Sequence, residues 1–238
     1  MNVKALLMSG LALTLAAAPA LAYEVVAVED GGALKGTITY KGAAPKPATI
    51  EVNKDQSVCH ASVPDESLLV GEGGGLANAV IYFVEVEAGK DPAGMPEAVL
   101  ANKECRYVPH VQAMMIGQPL NITNEDPVLH NTHTYDEAQK TVFNIPLPTQ
   151  GTKRALKMKK VGIVHAKCDA GHTWMDGFVW VNQNPYYAVT DANGTFEITD
   201  IPEGDYTVKV WHEKAGETEH EVSIEAGGTA ALTAAMGG

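Results

Sequence analysis

Three donors of complementary softness fall on one short segment, Cys168-Asp169-Ala170-Gly171-His172-Thr173-Trp174-Met175. A thiolate, an imidazole and a thioether together suit an ion that needs soft sulfur when reduced and nitrogen when oxidised. Copper is that ion, and a trigonal His2Cys site with a weak axial Met is its usual setting. Zinc could take the Cys and the His, but a thioether is a poor zinc ligand. Alternating apolar segments at 162–167 and 177–182 flank the loop, so it closes a hairpin and fixes three ligands at once. The second imidazole must come from a neighbouring strand. A Cys–His pair or a Met taken singly is more often packing than ligation, so the inference rests on their joint occurrence.

The candidate for the second imidazole is His130, in Asn121-Ile122-Thr123-Asn124-Glu125-Asp126-Pro127-Val128-Leu129-His130-Asn131, where a strand runs into a turn and then presents His followed by Asn. The two segments together resemble the cupredoxin family over roughly 77–182. The resemblance implies a Greek-key sandwich and one copper ion held by His130, Cys168, His172 and Met175, with Asn131 hydrogen-bonding the ligand loops together. Val164 stands where a dinuclear thiolate-bridged loop would carry another Cys, so a mononuclear site is expected. Blue and red copper geometries both stay open.

The remaining histidines are weaker candidates. His133 reads as a surface residue near the site, with a second ligand or a proton-coupled partner as its alternatives, and His110 follows an early strand and is not expected to ligate. His165 points away from its apolar neighbours and reads as exposed. His212 and His220 belong to the end of the chain, where Trp211 reads as core, and His60 reads as the neighbour of a disulfide. Met114 and Met115 are expected to point one inward and one outward. An exposed ring of His172 would serve as the electron exit.

What must position these residues is almost entirely strand. Period-two segments bounded by Gly, Pro, Asn and Asp recur at 34–40, 48–52, 77–86, 105–115, 119–124, 154–159, 162–167 and 177–182, with a loop at 88–97. Short strands at this spacing specify a sandwich or Greek-key barrel. Towards the end, Thr190-Asp191, Gly194, Phe196, Pro202, Gly204 and Tyr206 resemble the carboxypeptidase regulatory-like, or prealbumin-like, β-sandwich family, and Gly36-Thr37-Ile38 would serve as that family's opening strand. The fold class expected is therefore all-β, a Greek-key cupredoxin-like sandwich plus a small prealbumin-like unit. The preferred division is an N-terminal β extension at 23–76, a copper domain at 77–184 and the second unit at 185–238, arranged consecutively. The alternative is one sandwich built from both chain ends, with 34–86 pairing with the last unit.

Composition agrees with a folded, exported protein. Hydrophobic residues make up 45% and charged residues 19%, which excludes a disordered chain. A net charge of −12 argues against binding nucleic acid through its phosphates. Lys4, the apolar run 5–18 and Ala20-Leu21-Ala22 form a signal peptide over 1–22, cleaved before Tyr23. The mature chain has no run long enough to span a bilayer, so a periplasmic or secreted location is expected. Export also bears on the cysteines. Cys59 and Cys105 lie outside the copper loop in an oxidising compartment and are expected to form a disulfide, leaving Cys168 for metal. The competing reading makes Cys59 or Cys105 a metal ligand beside His60 or His110.

No Ser-His-Asp, paired-carboxylate or phosphate-loop arrangement is present, and Met175 as a fourth ligand leaves no open copper position, so the chain is not expected to be an enzyme. The function read from the sequence is one-electron transfer, with an unidentified redox protein such as a cytochrome as partner. The alternatives are a carbohydrate- or protein-binding module, or a copper storage or delivery protein.

Overall fold

The computed structural model describes residues 23–46 and 48–237, so the signal-peptide segment 1–22 lies outside the described residues. The described chain is all-β, with twenty strands and one four-residue α-helix, Gln56–Cys59. Four sheets make two sandwiches. In the first, one sheet is ordered Lys153–Lys157, Pro119–Asn124, Ala98–Lys103, Arg106–Val108. Facing it are Thr141–Leu147, His130–Tyr135, Gly162–Lys167, Asp176–Asn182 and Val111–Met115. Leu100, Tyr107, Met114, Leu120, Ile122, Leu147 and Val179 fill the space between these two sheets.

The second sandwich takes strands from both ends of the chain. Gly32–Tyr40 lies between Thr195–Ile201 and Thr229–Met236, and Val80–Phe83 lies between Tyr187–Val189 and Gly204–His212. The pairing is thus that of a sandwich interrupted by an inserted unit, not of two consecutive ones. Its core joins Leu34, Ile38, Ile81 and Phe83 to Phe196, Val208, Val210, Ile224, Leu232 and Met236.

The two sandwiches pack sheet against sheet. Asp176–Asn182 and Val80–Phe83 are apolar at successive positions because both faces of each strand are covered. Trp180 lies tilted against Tyr82 with ring centres 4.2 Å apart, and Phe178 meets Trp211 edge-on at 5.4 Å. Beside them His110 and Glu213 form an ion pair buried between the sandwiches. Burial pushes His110 down, but the Glu213 carboxylate outweighs it and raises its pKa above the ordinary value. Three expectations change. Trp211 covers the neighbouring sandwich, Met114 and Met115 are both buried, and His165 is half-buried, stacked on Phe178 and paired with Asp176.

The expected strand at 105–115 is two strands in different sheets. Pro109 has no N–H to continue a ladder, and the chain crosses from Arg106–Val108 to Val111–Met115 around it. Ahead of it, Glu104 and Cys105, both with positive φ (50° and 54°), make the tight turn that follows Ala98–Lys103.

The N-terminal segment between the strands of the second sandwich crosses to the first. Thr49–Glu51 pairs with Ser62–Pro64, and Val52, Cys59 and Val63 enter the same core as Cys168, Trp174 and Met175. Cys59 and Cys105 are disulfide-bonded across 46 positions, so neither is a free thiol for metal. Replacing both by alanine is expected to lower the stability of the metal-free protein by roughly 3–4 kcal/mol, the chain entropy restored to the unfolded state by opening such a loop. Urea unfolding with an unchanged midpoint would show that the bond constrains nothing.

Candidate metal centre

His130 opens the strand His130–Tyr135, whose alternation buries His130, Thr132 and Thr134 and turns Asn131, His133 and Tyr135 outward. Cys168 follows the end of Gly162–Lys167, the strand paired with it. His172 lies in the loop from there to Asp176–Asn182, and the Met175 N–H closes that loop by donating to the His172 carbonyl at 3.0 Å. Pairing therefore carries residues 38 and 42 positions from His130 to one end of one sheet.

There the Cys168 Sγ stands 3.8 Å from Nδ1 of His130 and 3.7 Å from Nδ1 of His172. His130, His172, Cys168 and Met175 are all buried. An ion bonded to imidazole at about 2.0 Å and to thiolate at about 2.3 Å in a trigonal plane would hold those donors about 3.7 Å apart. The observed spacing fits that arrangement. A second group of side chains, Cys105, Asp126 and His130, also converges, but the Cys105 sulfur is committed to the disulfide.

Each imidazole is oriented from behind by a carboxylate. His130 Nε2 donates to Asp126 Oδ2 at 2.9 Å, and His172 Nε2 donates to Asp55 Oδ2 at 2.8 Å. A carboxylate only accepts, so both Nε2 atoms carry protons and both Nδ1 atoms, which face the sulfur, are the nitrogens left to a metal. Asp126 is itself fixed by the N–H groups of Glu104 and Cys105, at 2.7 and 2.8 Å, which are the amides of the tight turn. Asn131 joins the two ligand segments. Its N–H donates to Cys168 Sγ at 3.5 Å, its Oδ1 accepts from the Ala170 N–H at 3.1 Å, and its Nδ2 donates to Asn144.

These contacts set the charge state. Burial alone would push the Cys168 thiol up, but hydrogen bonds from His130, His172 and the amides of Asn131 and Ala170 bring it from 9.0 down to about 6. The sulfur is therefore a thiolate at neutral pH, the form that binds metal. Burial likewise lowers His130, and Asp126 and Cys168 more than reverse this, raising its pKa above the ordinary value.

His133 does not join the cluster. It bonds Asp169, Thr141 and Tyr135 on the outer face. One expectation is corrected. The His172 ring is fully buried, with Asp55 and the N-terminal segment over its Nε2 edge, so that edge offers no exposed exit for an electron. Asp126 and Asp55 were not singled out in the sequence. Asp126 had a local signal, because Asn124 Oδ1 accepts the Asp126 N–H at 2.9 Å in the turn that precedes His130. Asp55, 117 positions from His172, had none.

Residues 178–237 match the carboxypeptidase regulatory-like domain. No curated protein matches the chain. Among solved structures, a novel purple cupredoxin from Nitrosopumilus maritimus is 26% identical over 36% of this chain and 100% of that one, with a TM-score of 0.32. A reduced amicyanin mutant is 16% identical over 44% of this chain and 99% of its own, with a TM-score of 0.32. The matched family model is the second of the two families that the sequence resembles.

Proposed function

We propose that the chain is a mononuclear copper protein that transfers one electron at a time through His130, Cys168, His172 and Met175. The observation that carries this reading is the convergence of one Sγ and two Nδ1 atoms at ligand spacing, with both Nε2 atoms committed to carboxylates. Copper would supply the change of oxidation state. The chain supplies a thiolate, two pre-oriented imidazoles and a buried pocket in which ligands move little as the charge changes. Met175, buried three residues beyond His172 and in the same core as Cys168, would offer the ion its thioether sulfur. Because His130 is held by Asp126 and its pKa is raised, metal must displace a proton there, and copper affinity falls on acidification.

In this reading the copper unit spans 98–182, the second sandwich covers one of its sheets, and the chain is an exported, non-enzymatic carrier that works with a redox protein such as a cytochrome. Full enclosure of His172 favours a carrier over a delivery protein, which must release its ion readily. Titration of the protein with Cu(II), followed by visible absorption and electron paramagnetic resonance, is the test. One copper per chain with intense thiolate charge transfer and reversible reduction is expected. Binding of zinc alone, or of no metal, would leave a β-sandwich binding module as the better reading.

A further inference from the structure

The segment between Val52 and Ala61 is a short closed loop, with the Val52 N–H donating to Ala61 O at 3.0 Å. Three fastenings hold it over the metal centre. Asp55 accepts from His172, Lys54 Nζ donates to the carbonyl of Ala170 in the ligand loop, and Cys59 is bonded to Cys105. Asp55 itself has a left-handed backbone (φ 51°), and its carbonyl accepts from the amides of Val58 and Cys59, each at 2.9 Å. The carboxylate is therefore rigidly attached to the turn that ends at the disulfide. On the other side of the same bond, the Cys105 N–H fixes Asp126, the carboxylate behind His130. The two groups that orient the two imidazoles thus meet at one covalent link.

From this we propose that residues 52–61 are a disulfide-fastened latch over His172, and that Asp55 is a positioning residue that fixes the His172 ring and governs how fast copper enters and leaves. The inference rests on the copper reading above. The His172 side of the pocket is closed by chain that lies far away in sequence and is fastened outside the ligand loop by the disulfide. Opening requires the Asp55–His172 bond to break. Without that acceptor the ring is free to turn, and its Nδ1 no longer points steadily at the sulfur.

The experiment is stopped-flow transfer of Cu(I) from the protein to bathocuproine disulfonate, with the Cu(II) spectrum of each variant recorded alongside. Asp55→Ala is expected to release copper roughly tenfold faster or more, the scale on which partners behind metal ligands act, and to alter the paramagnetic hyperfine splitting. Asp55→Asn, which keeps an oxygen to accept the Nε2 proton, should recover most of the wild-type rate. Val63→Ala removes a buried side chain beside the latch but keeps the Asp55–His172 bond, so it should accelerate release clearly less than Asp55→Ala and leave the spectrum close to wild type. Wild-type protein that binds no copper would remove the reading on which the latch depends. Copper-binding protein whose Asp55→Ala variant keeps the wild-type rate would overturn the latch alone, and so would equal acceleration by Val63→Ala. A second measurement needs no variant. Copper loading should slow amide hydrogen exchange at Val58 and Cys59 by tenfold or more, and unchanged exchange there would overturn the proposal.

Discussion

Cys168→Ser is expected to abolish the visible copper absorption completely while leaving the protein folded. The colour of such a site comes from electron transfer from thiolate to copper on excitation, and a serine hydroxyl has no comparable donor orbital. Serine also removes the negative charge that the surroundings are built to hold. The Cys168 sulfur accepts from His130, His172 and the Asn131 N–H, and these contacts bring its pKa to about 6. A hydroxyl stays neutral there, so the reduced ion loses its soft anionic ligand and the site loses the balance between oxidation states. The two imidazoles remain and should still bind Cu(II), with the spectrum of an ordinary nitrogen–oxygen complex. Absorption and paramagnetic spectra of the loaded variant read this directly. An unchanged visible band in Cys168→Ser protein would place the copper elsewhere in the chain.

Ending the chain after Asn184 is expected to destroy solubility and not merely to trim an appendage. The removed residues supply both neighbours of Gly32–Tyr40 and both neighbours of Val80–Phe83. Leu34, Ile38, Ile81 and Phe83, all fully buried, would face water. At roughly 1.5–3 kcal/mol per large apolar side chain, that re-exposure costs on the order of 6–12 kcal/mol, as much as the whole stability of a typical domain. Trp180, Val111 and Ala113 would be uncovered as well, because the sheet that carries the metal loop packs its outer face on the lost strands. Soluble yield and circular dichroism of the truncated protein decide the point. A soluble, cooperatively unfolding, copper-binding product would show that the two sandwiches are independent.

What was legible in the sequence was local. Cys168, His172 and Met175 sit on one loop, so their types and spacing carry the chemistry without any knowledge of the fold. His130 was legible because its turn has its own side-chain pattern, and the disulfide because only two cysteines lay outside the loop. The strand His130–Tyr135 was not, since its inward positions are His, Thr and Thr and it lacks the apolar alternation of a half-buried strand. Thr141–Leu147 carries Pro146, which reads as a break, yet this strand lies at the sheet edge, where a missing N–H is tolerated. Asp176–Asn182 was found as a strand, but its nearly continuous burial was the mark of a second sheet packed on its outer face. The residue that sequence reasoning could least supply is Asp55. Its role depends on a chain crossing from one sandwich to the other, and that crossing follows from the interrupted topology and from no motif near either end.

The most direct test of the copper centre is X-ray absorption at the copper edge on the singly loaded, full-length protein. One sulfur at thiolate distance and two imidazole nitrogens are expected in the first coordination sphere, with the short sulfur lost in Cys168→Ser. A first sphere of nitrogen and oxygen alone, or one that keeps its short sulfur when Cys168 is replaced, would contradict this copper centre.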